Sequence, residues 1–147
     1  MILSTDIKHA YSMFKNIPEF SNYLSLEKML SRIGEANYLS LVFLVDNQPV
    51  AFKLGYEIDN NEFYSWLGGV IPEHRARGIA KQLMLKQEAW VAENGYNKLS
   101  VKSMNKFPAM MCMLIANGYL IESIEPNNSL NESKILFSKK IERSLNS

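Results

Sequence analysis

Hydrophobic residues in the first part of the chain fall at helical spacing in two places. Asp6 can cap a helix that runs to about Asn16, and Pro18 stops it. A second helix is predicted over Ser25–Ile33, because its apolar residues recur every three or four positions. The short stretch Met1–Ser4 is a candidate for a strand that precedes both helices.

The spacing then changes to that of strands. Leu39–Val45 and Pro49–Ile58 are predicted to form a hairpin around the polar turn at 46–48, and Glu62–Ile71 follows as a third strand. Consecutive strands joined by short turns pair antiparallel. The sequence therefore predicts three antiparallel strands before residue 72.

Helical spacing returns after residue 78, and Gly95 is the natural stop of this third helix. Lys98–Met104 then reads as a further strand. Asn105 can cap a fourth helix, which carries Pro108 in its first turn and ends before Gly118.

The tail supplies two last strands, near Tyr119–Glu125 and Lys134–Ile141, joined by a polar loop. No internal repeat and no low-complexity linker interrupts the order, and 147 residues fit one domain, 1–147. The predicted class is α/β (α+β), with the order ααβββαβαββ after a short candidate first strand.

Composition limits the setting in which such a domain works. The formal net charge of +1 predicts no general attraction to nucleic acid. The single cysteine, Cys112, excludes an internal disulfide and a cysteine-cluster metal site, and we expect it to be buried as a small hydrophobe. No signal peptide is evident, and the longest apolar run, Ala109–Ala116, is far shorter than the roughly 18–20 residues that span a bilayer. We expect a cytoplasmic protein without membrane or nucleic-acid partners.

The most informative stretch is WLGGVIPEHRARGIA, residues 66–80, in which an apolar run leads into a basic loop and then a helix. Backbone N–H groups of a tight loop, together with the positive end of a helix dipole, bind phosphate groups. Gly78 permits a positive φ and close approach, small Ala80 leaves room at the first turn, and Arg75 and Arg77 supply charge. The pattern indicates a cradle for a diphosphate. It contains neither the nucleoside-triphosphate loop GxxxxGK[ST] nor the dinucleotide motif GxGxxG.

This stretch resembles motif A of the GNAT acyltransferases, V-x-P-x-x-[QR]-x-x-G-x-[GA], which is matched by Val70, Pro72, Arg75, Gly78 and Ala80. The resemblance implies a mixed, mostly antiparallel central sheet flanked by helices on both faces, and acetyl-CoA as the co-substrate. Asn105 and the pair Gly118-Tyr119 stand where the family places an Asn against the pantetheine arm and a Gly-aromatic pair. The cofactor-binding residues expected are Val70, Ile71, Arg75, Ala76, Arg77, Gly78, Ile79, Ala80 and Asn105, although Asn105 is equally well explained as a plain helix cap.

The strand before the loop offers a second expectation. An unpaired strand edge is a ready partner for the amides of the pantetheine arm. The pair Gly68-Gly69 indicates either a β-bulge, which in the family helps to splay two strands apart, or simply room for packing.

The catalytic groups are left open by the sequence. Leu114 stands where many family members carry the tyrosine that protonates the leaving sulfur. Tyr119, Tyr64 and Tyr56 are then alternative acids by proximity in the fold, with packing as the plainer explanation of each, unless solvent protonates the thiolate. Glu57 and Glu62 are candidate bases, with solvated strand ends as the plainer explanation. No metal is expected.

Together these features predict an N-acetyltransferase that moves the acetyl group of acetyl-CoA directly to a primary amine. The alternative is a domain that binds acyl-CoA without catalysis, as a sensor or regulator. The acceptor is unknown from sequence, and a homodimer is one option for the assembly.

Overall fold

The computed structural model describes residues 1–20 and 23–142 and contains one seven-stranded sheet with four helices packed against it. The elements in chain order are β1 (Ile2–Ser4), α1 (Ile7–Lys15), α2 (Leu26–Ile33), β2 (Tyr38–Val45), β3 (Gln48–Glu57), β4 (Glu62–Val70), α3 (Ile79–Glu93), β5 (Lys98–Met104), α4 (Pro108–Ala116), β6 (Leu120–Glu125) and β7 (Lys134–Lys140).

The sheet has the strand order β1-β2-β3-β4-β5-β7-β6. Every neighbouring pair is antiparallel except β4 and β5, which run parallel. Two parallel strands need a long crossover connection, and α3 supplies it between β4 and β5. The mixed, mostly antiparallel sheet predicted from the sequence is confirmed.

Helices cover both faces of the sheet and bury a separate apolar core on each. On one face α1 and α2 pack through Phe14 and Met29 against Phe52 and Leu54 of β3. On the other face α3 and α4 pack over β2 to β5 and β7, and Phe137 lies at the centre of that core, fully buried. The central strands are therefore covered on both sides, and functional groups that face inward on them are shielded from bulk water.

The predicted order of elements is confirmed, including the short first strand. Local signals account for much of this agreement, among them the expected cap at Asp6 and a serine at the start of the second helix. The Asp6 side chain accepts a hydrogen bond from Lys8 N at 2.8 Å, and Ser25 Oγ accepts one from Lys28 N at 3.1 Å. Gly95 has a φ of 87° just after α3, as a helix stop requires.

Two local predictions are wrong. Asn105 does not cap α4, whose N-cap is Phe107; the Asn105 side chain instead donates to the carbonyl of Leu130 at 2.8 Å. Cys112 is exposed rather than buried, because α4 turns Leu114 into the core and leaves Cys112 on its outer side.

The β-bulge in β4 lies at Trp66 rather than at the glycine pair. Leu54 pairs with Leu67 and Gly55 pairs with Ser65, so Trp66 is the extra residue. The glycine pair makes room for neighbouring side chains. A Cβ on Gly69 would lie 2.6 Å from Ile17 Cδ1, which packs against it from the α1 side.

Among residues 1–20 and 23–142, no helix is both long enough and apolar enough to cross a membrane.

Candidate functional site

β4 and β5 pair along only part of their length. Glu62–Ser65 pair with Lys98–Val101, and beyond Ser65 the register stops. Residues 67–70 of β4 still pair with β3, and residues 102–104 of β5 still pair with β7, so the two strands face each other across a gap with their inner edges unpaired. We call this gap the slot. Unpaired strand edges carry rows of N–H and C=O groups that an extended amide chain can bond.

The loop between β4 and α3 lies at the outer end of the slot and has the backbone of an anion cradle. Gly78 has φ 77° and Ala76 has φ 61°, both in the left-handed region. The first hydrogen bond inside α3 runs from Gln82 N to the carbonyl of Gly78 at 3.1 Å. The N–H groups of Ile79 and Ala80 precede that bond and are available to a ligand at the positive end of the helix dipole.

Space in front of this helix end is open. Apart from Gly78 and its chain neighbours, no heavy atom of the described residues lies within 4 Å of the position that a Cβ on Gly78 would occupy. A ligand can therefore approach the backbone closely at this point, as the sequence predicts for a diphosphate.

The two loop arginines are placed differently. Arg75 donates from Nε to the Val70 carbonyl at 2.9 Å, and its guanidinium forms an ion pair with Glu19, with an N–O distance of 2.7 Å. This arginine lowers the pKa of Glu19 through that hydrogen bond. Arg77 is exposed and places Nη1 3.3 Å from Nδ1 of His74. Arg75 thus already fixes the end of β4, whereas Arg77 faces solvent beside the cradle.

The other expected cofactor contacts lie around the slot. Val70 ends β4 at its mouth, and Ile71 N donates to the Val50 carbonyl at 2.9 Å, so that N–H is already used within the sheet. Asn105 lies just past the end of β5, where its side-chain amide bonds Leu130.

The inner end of the slot holds a small cavity, where β4 and β5 begin to pair. We call it the slot cavity. Its lining comes from β3, β4, β5, α3, α4 and the residue before β6: Lys53, Ser65, Met84, Gln87, Val101, Met110, Met113, Leu114 and Tyr119. Most of this lining is apolar, and Leu114 belongs to it, so the side chain that replaces the family's tyrosine faces the place where the slot ends.

Tyr119 and Tyr64 are held in structural contacts. Tyr119 donates its hydroxyl to Glu88 Oε2 at 2.8 Å, and burial followed by the charge of Glu88 raises its pKa far above the usual range. Tyr64 lies on the opposite face of the sheet, edge-on to Tyr56, and burial raises its pKa to about 12. Both phenols are therefore poor proton donors at neutral pH.

Glu57 and Glu62 lie away from the slot. Glu62 begins β4, at the end of that strand that pairs with β5, and Glu57 ends β3 opposite Phe63. Glu57 accepts a hydrogen bond from Tyr96 at 3.0 Å, and Glu62 accepts one from Ser100 at 2.8 Å. At the rise of a strand, Glu62 is about 20 Å from Gly68. Each carboxylate has a partner in the fold, and neither is within reach of a group in the slot.

Sequence reasoning missed Lys53 and Gln87, which line the slot cavity and whose side chains have no hydrogen-bond partner among the described residues. The signal available was a lysine in the middle of an apolar strand, with the small residues Ala51 and Gly55 two positions away on the same face.

No group of three or more His, Cys, Asp or Glu side chains in the described part of the chain is arranged to hold a metal ion.

Comparison with known proteins gives a family and a fold. A family model described as "Acetyltransferase (GNAT) family" matches residues 6–110. No curated protein matches the sequence significantly.

Solved structures resemble the whole chain at low sequence identity. The ribosomal-protein-S18-alanine N-acetyltransferase of Escherichia coli has 16% identity and a TM-score of 0.80, covering 98% of this chain and 95% of its own. Ard1 from Thermoplasma volcanium has 17% identity and a TM-score of 0.80, with coverage of 96% and 97%. A GNAT family acetyltransferase from Elizabethkingia anophelis, solved with acetyl-CoA bound, has 14% identity and a TM-score of 0.76, with coverage of 95% and 97%.

The family model covers residues 6–110, which is more than half of the chain, and the mixed, mostly antiparallel sheet extends over the same region. The protein therefore belongs to the GNAT family of acetyltransferases.

Proposed function

We propose that the protein transfers the acetyl group of acetyl-CoA to a primary amine by direct attack of the amine on the thioester. The observation that carries this proposal is the slot, with unpaired strand edges along its length and a free helix N-terminus at its mouth. A single extended molecule with a diphosphate at one end and amides along its arm complements both features.

The cradle would hold the diphosphate. The N–H groups that open α3 and the exposed Arg77 supply donors and charge, and the positive φ of Gly78 turns the backbone toward the ligand. Arg75 is bound to Glu19 in the free protein and can share its guanidinium between that carboxylate and a phosphate.

The slot would hold the pantetheine arm. Its amides can bond the free edge of β4 at residues 67–70, in the way that a strand is added to a sheet. Residues 65 to 70 span about 17 Å, so an arm that enters past Val70 extends toward the slot cavity. The thioester then lies near Gly68, where a backbone N–H can stabilise the oxyanion of the tetrahedral intermediate.

The acceptor would approach from the α1 and α2 face. Tyr56 and Trp66 lie edge-on to each other there, and Arg32 stacks over Trp66 at 4.8 Å while donating from Nε to the Tyr56 hydroxyl at 2.9 Å. An ordinary amine with a pKa of about 10.4 must lose its proton before it attacks. Since the two candidate bases, Glu57 and Glu62, lie away from the slot, we propose that solvent takes this proton.

Turnover of acetyl-CoA with a panel of primary amines tests the proposal. The panel should include amino acids, peptides with free N-termini, polyamines and aminoglycosides, and release of free CoA thiol is the measured quantity. We expect release with at least one amine and formation of its acetylated product. Tight binding of acetyl-CoA without turnover of any amine would contradict the proposal and favour the non-catalytic acyl-CoA-binding domain.

We further propose that the protein works in the reducing cytoplasm and forms a homodimer. The single, exposed Cys112 suits a reducing compartment. All six residues of the edge strand β6 are exposed, among them Leu120, Ile121 and Ile124, and exposed apolar edge strands pair with other chains. Sedimentation equilibrium of the wild type and of Ile124→Lys tests the dimer, which we expect to dissociate in the variant; a monomeric wild type would contradict it.

A further inference from the structure

The slot cavity contains polar groups that the fold leaves without partners. Gln87 of α3 is 1% exposed, and neither its amide oxygen nor its amide nitrogen has a hydrogen-bond partner in the structure. Buried polar groups are almost always paired in folded proteins, so an unpaired amide that lines a cavity needs an explanation. A ligand or a water in the slot would supply the missing partner.

Lys53 reaches the same cavity from β3. It lies directly opposite Gly68 of β4, and its side chain extends over that residue. A Cβ at Gly68 would lie 3.6 Å from Lys53 Cγ and 3.7 Å from its Nζ. The lysine side chain therefore covers the part of β4 where the thioester is proposed to lie, and its Nζ borders the slot.

The Lys53 amine has no hydrogen bond or ion pair to any described residue, and its surroundings act on it in opposite directions. Burial is the larger effect and lowers the pKa of Lys53 to about 8, although the negative charge of Glu88 acts to raise that pKa. Glu88 is already engaged, because Tyr119 donates to one of its oxygens and Lys139 to the other, at 2.8 and 2.9 Å. The side chains that line the cavity from β4, β5 and α4 are uncharged.

We propose that Lys53 is a catalytic residue that donates a proton to the sulfur of the departing CoA, in the place where Leu114 offers no hydroxyl. This inference rests on the proposed acetyl transfer. Lys53 and Leu114 line one cavity at the inner end of the slot, and Gln87 is placed to orient either the amine or a water between amine and sulfur.

The step balances without any further reactant. The acceptor nitrogen attacks the thioester carbon, the C–N bond forms, and the C–S bond breaks with its electron pair on sulfur. The Lys53 ammonium gives one proton to that sulfur, which yields CoA thiol and a neutral amine. The proton that the acceptor nitrogen releases to solvent restores the ammonium.

The acidity of Lys53 suits this transfer. A thiol has a pKa of about 8.5, so an ammonium near 8 donates to a thiolate with little change in free energy. A lysine at its ordinary value of about 10.4 would be a weaker acid by roughly two powers of ten.

Binding of the product gives a test that needs no turnover. CoA and desulfo-CoA, which lacks the sulfur, are titrated calorimetrically at pH 8, and the ultraviolet absorption of the thiolate is followed as bound CoA is taken through a pH series. We expect the wild type to prefer CoA by about tenfold and to lower the pKa of the bound thiol. Both effects should disappear in Lys53→Met and persist in Lys140→Met, a matched change at an exposed lysine on the far end of β7. Equal behaviour of wild type and Lys53→Met would overturn the proposal.

Steady-state kinetics then distinguish a Lys53 that donates a proton from a Lys53 that only contributes a positive charge. With an acceptor in hand, Lys53→Met and Lys53→Arg should both lower kcat by about 10- to 100-fold while KM for acetyl-CoA changes less than threefold, since arginine keeps the charge but does not release a proton. The wild-type kcat should fall above about pH 8, and this fall should be absent in both variants. Full activity of Lys53→Arg would overturn the assignment.

Two further outcomes are decisive. Acetylation of Lys53 itself, seen as a mass increase after incubation with acetyl-CoA, would make the lysine an acceptor and overturn its role as the acid. If the wild type binds neither CoA nor acetyl-CoA, the proposed function fails and this inference with it; if the wild type binds and turns over but the lysine variants match it, only this inference fails.

Discussion

The two ends of β4 contrast in how their polar groups are paired. At residues 62–65, the closed end, β4 bonds to strands on both sides, and the carboxylate of Glu62 accepts a hydrogen bond from Ser100. At residues 67–70, the open end, β4 bonds to β3 alone, and the groups facing its free edge include an unpaired lysine and an unpaired buried amide.

This difference separates stability from function within one strand. Polar groups at the closed end are hydrogen-bonded within the fold, so they stabilise it and are not available to bind a ligand. Unpaired polar groups at the open end lower the stability of the fold, and a bound ligand can supply the hydrogen-bond partners that they lack. The substitutions below test this difference. For each one we state whether we expect a change in acetyl-CoA affinity, in catalytic rate or in the free energy of unfolding.

The largest effect is expected at the mouth of the slot. Gly78→Val should weaken acetyl-CoA binding by about 3 kcal/mol, roughly 100-fold, because valine disfavours the left-handed backbone and fills the space before α3. Calorimetric titration measures the affinity.

Gly95→Val is the matched control, since Gly95 has φ 87° and equally open space at the other end of α3. It should lose stability and keep normal affinity. If both variants bind normally once folded, the Gly78 loop is only a turn.

Arg75→Ala should weaken acetyl-CoA binding by about 1.5–3 kcal/mol, the range of a charged hydrogen bond. Glu19→Gln breaks the same ion pair but keeps the arginine, and we expect less than a threefold loss. Calorimetry on both variants distinguishes two roles. An equal loss in the two would mean that the ion pair positions the loop and that Arg75 does not bind the phosphates.

Lys53→Met should stabilise the fold at pH 7, by up to about 3 kcal/mol. The folded pKa near 8 lies below the unfolded value of about 10.4, so the unfolded chain binds more protons between these values and wild-type stability rises with pH in that window. Urea unfolding of both proteins at pH 7 and pH 10.5 should show the difference shrinking toward zero. A variant less stable than wild type at pH 7 would show that the lysine has a stabilising partner.

Changes at the closed end should affect folding alone. Glu57→Gln and Glu62→Gln each weaken a hydrogen bond, and we expect about 1 kcal/mol of lost stability with kcat within twofold of wild type. Chemical unfolding and steady-state kinetics measure the two quantities. A tenfold fall in kcat with the fold intact would restore a carboxylate base to the mechanism.

The smallest effect on catalysis is expected for the phenols. Tyr119→Phe and Tyr64→Phe remove hydroxyls whose raised pKa values make them weak acids, so kcat should fall less than tenfold in each. Single-turnover rates at saturating acetyl-CoA provide the measurement. A hundredfold loss in either variant would identify it as the acid in place of Lys53.

The elements of this fold could be predicted because their signals are local. Asp6 and Ser25 cap helices within three residues of themselves, and Gly78 and Gly95 have the positive φ values expected of them. Asn105 shows the limit of that reasoning, since its side chain bonds Leu130, 25 residues away, rather than the helix beside it.

The side chains that line the slot could not be predicted, because their positions depend on contacts between residues that are distant in the sequence. Lys53 borders the slot because strand pairing places it opposite Gly68, on another strand, and Arg75 is held by Glu19 at a separation of 56 residues. The candidate phosphate-binding loop is recognisable in the sequence because its residues are contiguous and resemble a family motif, whereas the candidate acid depends on contacts between strands.

Amide NMR spectra of the ¹⁵N-labelled protein, recorded as acetyl-CoA is added, test the contrast between the two ends most directly. We expect the amide signals of residues 68–70 and 76–81 to shift and the signals of residues 57–62 to stay unchanged. Shifts concentrated at residues 57–62, or binding that leaves the loop before α3 unperturbed, would contradict this expectation.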